Sequence, residues 1–334
     1  MSKAQPRIGI DLTGGDLCPE ALFQDLLTVE ENLHPTPHLV FFAPKMVLAR
    51  FEEVLELLPT HISLEFVQTQ EPIAKEERAL LSIRFKKKSP TFIALQMLRD
   101  KKLDALVATG NTGALIGGAT LILKMIKGIK RPGLLATLPT LLKPLVVIDV
   151  GANVSCRPEH LVQFARMGMA YQKCIGIADP KVALLNIGAE REKGTTEMRE
   201  AYKKLEGLNS SSEKDPIFLG NIEGKEVFTG VTDVLVTSGF AGNIFLKTAE
   251  GMTSFIVEKL VEEKLQQPEK KSYNKLMHLL DYAEYPGALI CGVEGIVIKC
   301  HGYSSAKAIH SGIQGAINLV KTGFLDKLKK QLRA

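Results

Sequence analysis

Glycine-rich loops follow short apolar runs at four places in this chain of 334 residues. The four loops are Gly14-Gly15-Asp16, Gly110-Asn111-Thr112-Gly113, Gly151-Ala152-Asn153 and Gly239-Phe240-Ala241-Gly242-Asn243. Runs of Ile, Val and Leu that end in such loops are typical of buried strands in a parallel sheet. Ligands of these sheets bind beyond the carboxyl ends of the strands. The pattern therefore predicts a doubly wound, mostly parallel α/β sandwich whose loops offer backbone N–H groups and helix N-termini to an anion such as phosphate.

Strands and helices alternate along nearly the whole chain, which is typical of this class. The predicted strands are 7–11, 38–43, 62–67, 105–108, 135–138, 145–149, 182–186 and 231–236, with a further strand within 293–299. The predicted helices include 19–33, 89–101, 115–125, 157–174, 242–265 and 273–283, and one that begins at Ser304 or Ser305. Because no Pro/Gly/Ser linker interrupts the chain, we expect a single catalytic domain over residues 1–334.

Composition excludes several classes of function. The net charge of +5 is modest, and the chain has no Trp and no DNA-binding motif, so nucleic acid is not an expected partner. The five cysteines form no CxxC pair, which predicts reduced thiols rather than a zinc site or a disulfide framework. The sequence shows no signal-peptide pattern and no apolar run of about 20 residues, so we expect a cytoplasmic protein.

The common cofactor and nucleophile motifs are absent. The first loop does not fit the G-x-G-x-x-G dinucleotide fingerprint, and the pattern ending in Gly-Lys-Ser/Thr that holds nucleotide phosphates is missing. There is no G-x-S-x-G nucleophile motif, and the seven histidines lack metal-ligand spacing. We therefore expect no cofactor and no metal, and a ligand smaller than a standard nucleotide.

Several polar residues in the loops are candidates for chemistry, and each also has a structural interpretation. Asn111 and Thr112 lie between two glycines, and Asn153 follows another, where polar side chains also serve turns. Lys193 follows a predicted strand and has the charge to neutralise a phosphate or an oxyanion, although most lysines in such loops are surface residues. His301 lies between a strand and a helix, where a purely structural role is equally compatible with the pattern.

Taken together, these segments resemble the phosphate acyltransferases of bacterial phospholipid synthesis (the PlsX family). The resemblance spans nearly the whole chain. Its segments are 10–16, 110–115, 126–132, 137–140, 149–154 with 158–161, 185–194, 239–243 with 246–248, and 301–305. One departure is Ser238, which stands where the family usually has Asp before Gly-Phe-x-Gly-Asn.

The resemblance implies a homodimeric α/β/α fold related to that of isocitrate and isopropylmalate dehydrogenases. It also implies transfer of a long acyl chain from acyl carrier protein to inorganic phosphate, without a cofactor. The family's active-site lysine and asparagine correspond to Lys193 and Asn243, and we add His301 as a candidate proton relay. A helical hairpin over residues 242–284, credited in the family with dimer and membrane contacts, is expected as well. Further expected partners are an anionic membrane surface and the membrane acyltransferase that uses acyl phosphate.

Two further sets of residues complete the expected site. The expected phosphate or substrate residues are Asp11, Gly14, Gly15, Asp16, Gly110, Asn111, Thr112, Gly113, Asp149, Asn153 and Gly242. The expected docking residues for the acidic carrier protein are Arg84, Lys86, Lys87, Lys88, Lys127, Lys130 and Arg131. Phosphate brings its own nucleophilic oxygen, so the reaction needs positioning and charge stabilisation rather than a catalytic triad.

Two alternatives from different classes stay open at this point. A short-chain phosphotransacetylase that uses coenzyme A shares the reaction type and the loops. A non-enzymatic regulator on the same fold is favoured only by Ser238. A dehydrogenase is disfavoured because the dinucleotide fingerprint is missing.

Overall fold

The structure is a computed structural model, and it describes residues 5–29, 33–58, 60–74, 76–209, 217–262 and 287–333. The backbone divides into two compact units, Met1–Pro132 with Pro286–Arg333, and Gly133–Tyr285. Each unit has strands flanked by helices, so the architecture is mixed α/β, as the sequence predicts. The single catalytic domain expected over the whole chain stays a prediction.

The strands, in chain order, are β1 (Arg7–Asp11), β2 (His38–Pro44), β3 (Ser63–Thr69), β4 (Ala105–Ala108), β5 (Gly133–Leu138), β6 (Leu145–Ile148), β7 (Val182–Asn186), β8 (Phe218–Glu223), β9 (Val234–Val236), β10 (Ala288–Cys291) and β11 (Ile296–Lys299). The helices are α1 (Pro19–Val29), α2 (Lys45–Leu57), α3 (Ala79–Phe85), α4 (Pro90–Arg99), α5 (Thr112–Gly118), α6 (Pro158–Cys174), α7 (Thr196–Glu206), α8 (Gly239–Glu262), α9 (Ala306–Lys321) and α10 (Phe324–Arg333). A π-helical turn, Ala119–Leu123, continues α5, and a 3-10 turn covers Val227–Thr229.

In the first unit the strands lie in the order β3-β2-β1-β4-β11-β10. Neighbours are parallel except for β10, which runs antiparallel to β11. The register pairs Ala108 with Asp11 on one side and with Lys299 on the other, so these three residues lie side by side where β1, β4 and β11 end. The apolar side of this unit contains a phenylalanine cluster in which the rings of Phe23 and Phe51 stack at 4.3 Å.

In the second unit the order is β5-β6-β9-β7-β8. Only β5 is antiparallel to its neighbour, β6. Val236 pairs with Ile148 and with Leu184, so the loops that follow β6, β9 and β7 leave the same edge of this sheet. Helix α6 packs closely on β9, since a Cβ added at Gly168 would lie 2.4 Å from Val234 Cγ1.

The sequence pattern misses some elements of the structure. Strands β8 and β10 and helices α3, α7 and α10 are not predicted, because each is short or has a mixed polar pattern. The long predicted helix begins at Gly239 rather than Gly242. The predicted hairpin, 242–284, is described only as far as Glu262, and the predicted helix 273–283 lies outside the described residues. Within the described part of the chain, no helix has both the length and the apolar character needed to cross a bilayer.

Candidate functional site

Asp11 ends strand β1 and is completely buried. One carboxylate oxygen accepts hydrogen bonds from the backbone N of Thr13 at 3.0 Å and from its hydroxyl at 2.6 Å, and the other accepts from the Thr91 hydroxyl at 2.8 Å. Burial outweighs these bonds and raises the pKa of Asp11 to about 6. Through its bonds to Thr13, the buried carboxylate thus fixes the start of the first glycine loop.

The glycines of the first unit allow three loops to lie against each other. Gly14 has a φ of +74°, and a Cβ added there would lie 3.5 Å from the Cα of Gly110. A Cβ at Gly15 would lie 3.2 Å from the carbonyl oxygen of Gly302. The backbone N of Asp16, an exposed residue, donates to that same carbonyl at 2.9 Å. The structure therefore joins the loops after β1, β4 and β11, as the sequence predicts for loops at one edge of a parallel sheet.

Lys299 is a buried cation at the end of β11 that the sequence analysis does not single out. Its Nζ donates to the carbonyl oxygen of Thr109 at 3.0 Å and to that of Cys300. Its charge also opposes the effect of burial on the pKa of Asp11. The sequence does carry a signal for this residue, because a lysine in an otherwise apolar strand is rarely buried. When such a lysine is buried, its ammonium group needs hydrogen-bond partners.

Asn111 caps helix α5. Its side-chain oxygen accepts from the backbone N of Ala114 at 3.0 Å, and its Nδ2 donates to the carbonyl oxygen of Ala74 at 3.0 Å. Thr112 and Gly113 form the first turn of α5 and are exposed. The Asn111 side chain thus has the structural role that the sequence left open, and it fixes the start of this helix.

His301 lies in the loop after β11 and is exposed. Its ring stacks on Tyr303 with 6.3 Å between centroids, and its carbonyl accepts from the backbone N of Ser304 at 3.0 Å. Gly302, the next residue, contacts the first glycine loop as described above. His301 therefore belongs to the loop edge of the first unit.

Asp149, immediately after β6, has the same kind of role in the second unit. It is completely buried, and its carboxylate accepts from the backbone N of Leu134, Gly151 and Ala152 at 2.9–3.0 Å. The other oxygen accepts from the backbone N and the side-chain Nδ2 of Asn153, both at 2.8 Å. Desolvation by burial still raises the pKa of Asp149. Asp149 and Asn153 therefore shape the loop that follows β6.

Two glycines bring helix α8 against this loop. A Cβ at Gly242 would lie 2.0 Å from the carbonyl oxygen of Asp149, and one at Gly239 would lie 2.6 Å from the carbonyl oxygen of Asn153. The backbone N of Gly239 donates to that Asn153 carbonyl at 2.8 Å. Only glycine fits at Gly242, because the opposing atom is backbone and has no freedom to move away.

Ser238 immediately precedes helix α8. Its Oγ lies 3.4 Å from the backbone N of Ala241, in the geometry of an N-terminal cap. Serine and aspartate are both favoured at such a capping position, so the helix start tolerates either residue. Asn243, the fifth residue of α8, is exposed, and its side chain lies 3.8 Å from the position of a Cβ built on Gly151.

Lys193 lies in the loop after β7 and has an exposed side chain. Asn186, the last residue of β7, donates from Nδ2 to the Lys193 carbonyl at 3.1 Å. Gly194 has a φ of +85°, and a Cβ there would lie 2.6 Å from the Asn186 side chain. A Cβ at Gly188 would lie 3.0 Å from Lys193 Cγ, so the aliphatic part of the lysine packs over that glycine. Asn186 is a supporting residue that the sequence analysis does not assign.

The expected docking lysines differ in their surroundings. Lys86 Nζ contacts Glu77 Oε1 at 2.6 Å, and this bond is the main reason that the pKa of Glu77 falls to about 2. Arg84, Lys87 and Lys88 are exposed beside it. The second expected group is also exposed: Lys127, Lys130 and Arg131.

The structure therefore arranges the expected residues in two groups. The first unit brings together Asp11, Gly14, Gly15, Asp16, Gly110, Asn111, Thr112, Gly113 and His301. In the second unit, the loop after β6 carries Asp149 and Asn153, the loop after β7 carries Lys193, and helix α8, which follows β9, carries Gly242 and Asn243. Their roles toward a ligand stay predictions.

A model of the family described as "Fatty acid synthesis protein" matches residues 6–327. The chain is 38% identical over 330 residues to a phosphate acyltransferase of Chlamydia pneumoniae, covering 98% of this chain and 99% of that one. It is 35% identical over 338 residues to the phosphate acyltransferase of Clostridium novyi, with 98% of each chain covered.

Solved structures share the fold at low sequence identity. A phosphotransacetylase from Streptococcus pyogenes aligns with a TM-score of 0.63 and 15% identity over 96% of this chain and 94% of that one. A 4-hydroxythreonine-4-phosphate dehydrogenase from Klebsiella pneumoniae aligns with a TM-score of 0.56 and 12% identity, covering 95% and 98%. The structural likeness establishes a shared mixed α/β fold, whereas the sequence relatives establish the family. By the family model and by its relatives over nearly the full length, this chain belongs to the phosphate acyltransferase family.

Proposed function

We propose that this enzyme transfers a long acyl chain from acyl carrier protein to inorganic phosphate and so forms an acyl phosphate for phospholipid synthesis. The observation that carries the proposal is the full-length match to phosphate acyltransferases. Further support comes from Lys193 and Asn243, the positions that correspond to the family's active-site residues. Lys193 lies in the loop after β7, and Asn243 lies in the helix that follows the neighbouring strand β9. Both side chains are exposed, as a ligand requires.

The reaction forms one bond and breaks one. A phosphate oxygen attacks the thioester carbonyl carbon, the tetrahedral intermediate carries an oxyanion, and the C–S bond then breaks. The products are the acyl phosphate and the free thiol of the carrier, whose sulfur takes up a proton. Phosphate supplies the nucleophile, so the protein has to supply position and stabilising charge.

Lys193 and Asn243 have the chemistry for these tasks. The ammonium of Lys193 neutralises a phosphate or the oxyanion, and the Asn243 amide, near the N-terminal end of α8, donates a hydrogen bond to the same group. Asp149 and Asn153 act indirectly in this proposal, because both are buried and hold the loop beside Asn243. In the first unit, the backbone of the loops at Gly14–Asp16 and Gly110–Gly113 binds phosphate groups, and His301 is proposed as a proton relay.

The finer architecture and the partners belong to the same proposal. We propose a homodimer with an isocitrate-dehydrogenase-like α/β/α fold, a helical hairpin over residues 242–284, and peripheral association with an anionic membrane that carries the acyl-phosphate-using acyltransferase. Support comes from helix α8, where Phe240, Ile244, Met252 and Phe255 are exposed in the single chain. Large apolar side chains that are exposed together on one helix commonly contact another protein or a lipid surface.

A coenzyme A-dependent phosphotransacetylase is the less supported alternative. The phosphotransacetylase neighbours share the fold at 15% identity or less, whereas the phosphate acyltransferases match at 35–39%. The two substrates are separated by comparing turnover of palmitoyl-carrier protein with that of acetyl and palmitoyl coenzyme A thioesters.

The test mixes the enzyme with palmitoyl-carrier protein and phosphate and traps the product with hydroxylamine as a hydroxamate. Hydroxylamine also reacts slowly with the thioester itself, so we expect hydroxamate to form faster than in an enzyme-free control only when phosphate is present. Lys193→Ala is expected to lower kcat at least tenfold with an unchanged circular dichroism spectrum, because it removes the stabilising cation. Lys203→Ala, at an exposed lysine of α7 in the same unit, is the matched control. Full turnover by Lys193→Ala would remove this residue from the mechanism.

A further inference from the structure

Helix α3 has a surface that combines exposed apolar and basic side chains. Phe85 is 81% exposed, Leu80 60% and Leu81 45%. The segment from Arg78 to Ser89 contains five basic residues and no acidic one. Arg84, Lys87 and Lys88 are exposed there, next to Phe85. A surface of this kind suits a partner with an acidic rim around an apolar contact.

The helix is held in a fixed position by contacts within the first unit. The Glu77 carboxylate accepts from the backbone N of Ala74 at 2.8 Å, from the Ser82 hydroxyl at 2.8 Å and from Lys86 Nζ at 2.6 Å. Glu77 therefore ties the segment before α3 to the residue that follows it. Lys86 is used in this tie, which separates its role from those of Arg84, Lys87 and Lys88.

Helix α3 also lies directly against helix α5. A Cβ at Gly113 would lie 2.9 Å from Ala79 Cβ, and one at Gly117 would lie 2.6 Å from Leu80 Cδ2. Glycines at these positions let the two helices approach closely. Because α5 starts at the Asn111 cap, a partner bound on α3 is held next to the loop Gly110–Gly113.

We propose that the exposed surface of α3 and of the turn that follows it, formed by Leu81, Arg84, Phe85, Lys87 and Lys88, is the docking surface for the acidic acyl carrier protein. The inference rests on the proposed function and goes beyond it by choosing this surface over the second basic group, Lys127, Lys130 and Arg131. The choice depends on Phe85 and Leu81, which add apolar contact area within the basic group itself. Charge complementarity identifies the occupant, since a carrier that delivers the acyl chain must bind and leave in each cycle and exposed ion pairs favour fast association.

The test compares Arg84→Glu/Lys87→Glu with Lys327→Glu/Lys330→Glu, an equal charge change at exposed residues of α10 in the same unit. For the α3 variant we expect the KM for palmitoyl-carrier protein to rise at least tenfold. The KM for phosphate and the kcat at saturating carrier should stay within twofold of the wild-type values. The increase in KM should shrink in 0.5 M NaCl, because salt screens exposed charges. The α10 variant should keep the wild-type KM.

A second variant, Phe85→Ser, tests the apolar contact without changing charge. We expect its KM for the carrier to rise at least fivefold, with the same melting temperature as the wild type, because Phe85 is mostly exposed. An unchanged KM in both α3 variants of an active enzyme overturns the docking surface and leaves the proposed function standing. Absence of acyl phosphate with the wild-type enzyme overturns the proposed function instead. Loss of binding to phosphatidylglycerol vesicles in the α3 variants, with an unchanged KM, would assign this face to the membrane.

Discussion

Replacement of Asp149 by asparagine tests whether a buried carboxylate holds the loop after β6. The carboxylate accepts hydrogen bonds from three backbone N–H groups on one oxygen and from two Asn153 donors on the other. The new asparagine side chain has two orientations. The less damaging one keeps its oxygen toward the three backbone N–H groups and turns its NH2 toward the two Asn153 donors. The Asn153 amide can then rotate to offer its oxygen, which leaves the backbone N–H of Asn153 facing a donor.

The size of the effect follows from these contacts. One unsatisfied buried donor costs about 1–3 kcal/mol, and three bonds that lose a charged acceptor weaken by roughly 1 kcal/mol each. Loss of the buried charge offsets part of this, because burial raises the pKa of Asp149 and so disfavours the ionised form. We therefore expect Asp149→Asn to destabilise the loop by about 3 kcal/mol, which corresponds to a roughly 150-fold larger equilibrium constant for opening at 1.4 kcal/mol per factor of ten.

Amide hydrogen exchange measures this opening in a peptide that covers residues 149–153, and urea denaturation measures the whole chain. Asp179→Asn, at an exposed aspartate of the same unit, is the matched control and should change neither. Exchange in Asp149→Asn at the rate of that control would refute the argument that this carboxylate fixes the loop.

Two further predictions concern Gly242, which packs against the loop after β6, and Asp11, which ends β1. Gly242→Ala should destabilise the protein by about 3 kcal/mol or more, because its Cβ would lie 2.0 Å from a backbone oxygen. Gly251→Ala, with open space on the same helix, should instead stabilise the protein by about 0.5–1 kcal/mol. Equal urea midpoints for the two variants would contradict this prediction. The pKa of Asp11 in the folded state, about 6, lies above the ordinary aspartate value of 3.8. The native state therefore keeps a proton that the unfolded state has lost, and stability falls as pH rises from about 4 to about 6. The stability difference between the wild type and Asp11→Asn should therefore decrease by up to about 3 kcal/mol over this range, and a pH-independent difference would show that Asp11 titrates normally.

The sequence was sufficient for the α/β class and for the positions of the loops, because apolar runs followed by glycines have few other structural solutions. It could not separate the residues that face a ligand from those that support the loop. Asn111 and Asp149 were expected to bind phosphate, and both have side chains engaged in local structure. That distinction depends on the direction of a side chain after a turn, which no residue spacing encodes.

Long-range contacts explain most of what the pattern missed. Lys299 is close to Asp11 only because β1 and β11, from the first and last parts of the chain, pair in parallel with opposite edges of β4. Strand β8 is paired on one side only, and its alternating small and polar residues give little periodic signal. Helix α3 is too short for a reliable apolar period, and it is held by Glu77 and by the glycines of α5 rather than by its own propensity.

The two strand-end aspartates have a consequence for how such a site can diversify. Each carboxylate fixes its loop from the interior, through N–H groups and hydroxyls that point away from solvent. Outward side chains on these two loops are then free to be exchanged during evolution without loss of the backbone shape beneath them. Enzymes with unrelated substrates can in this way share one loop backbone. The buried aspartate at the strand end would then be the last residue of the loop to change.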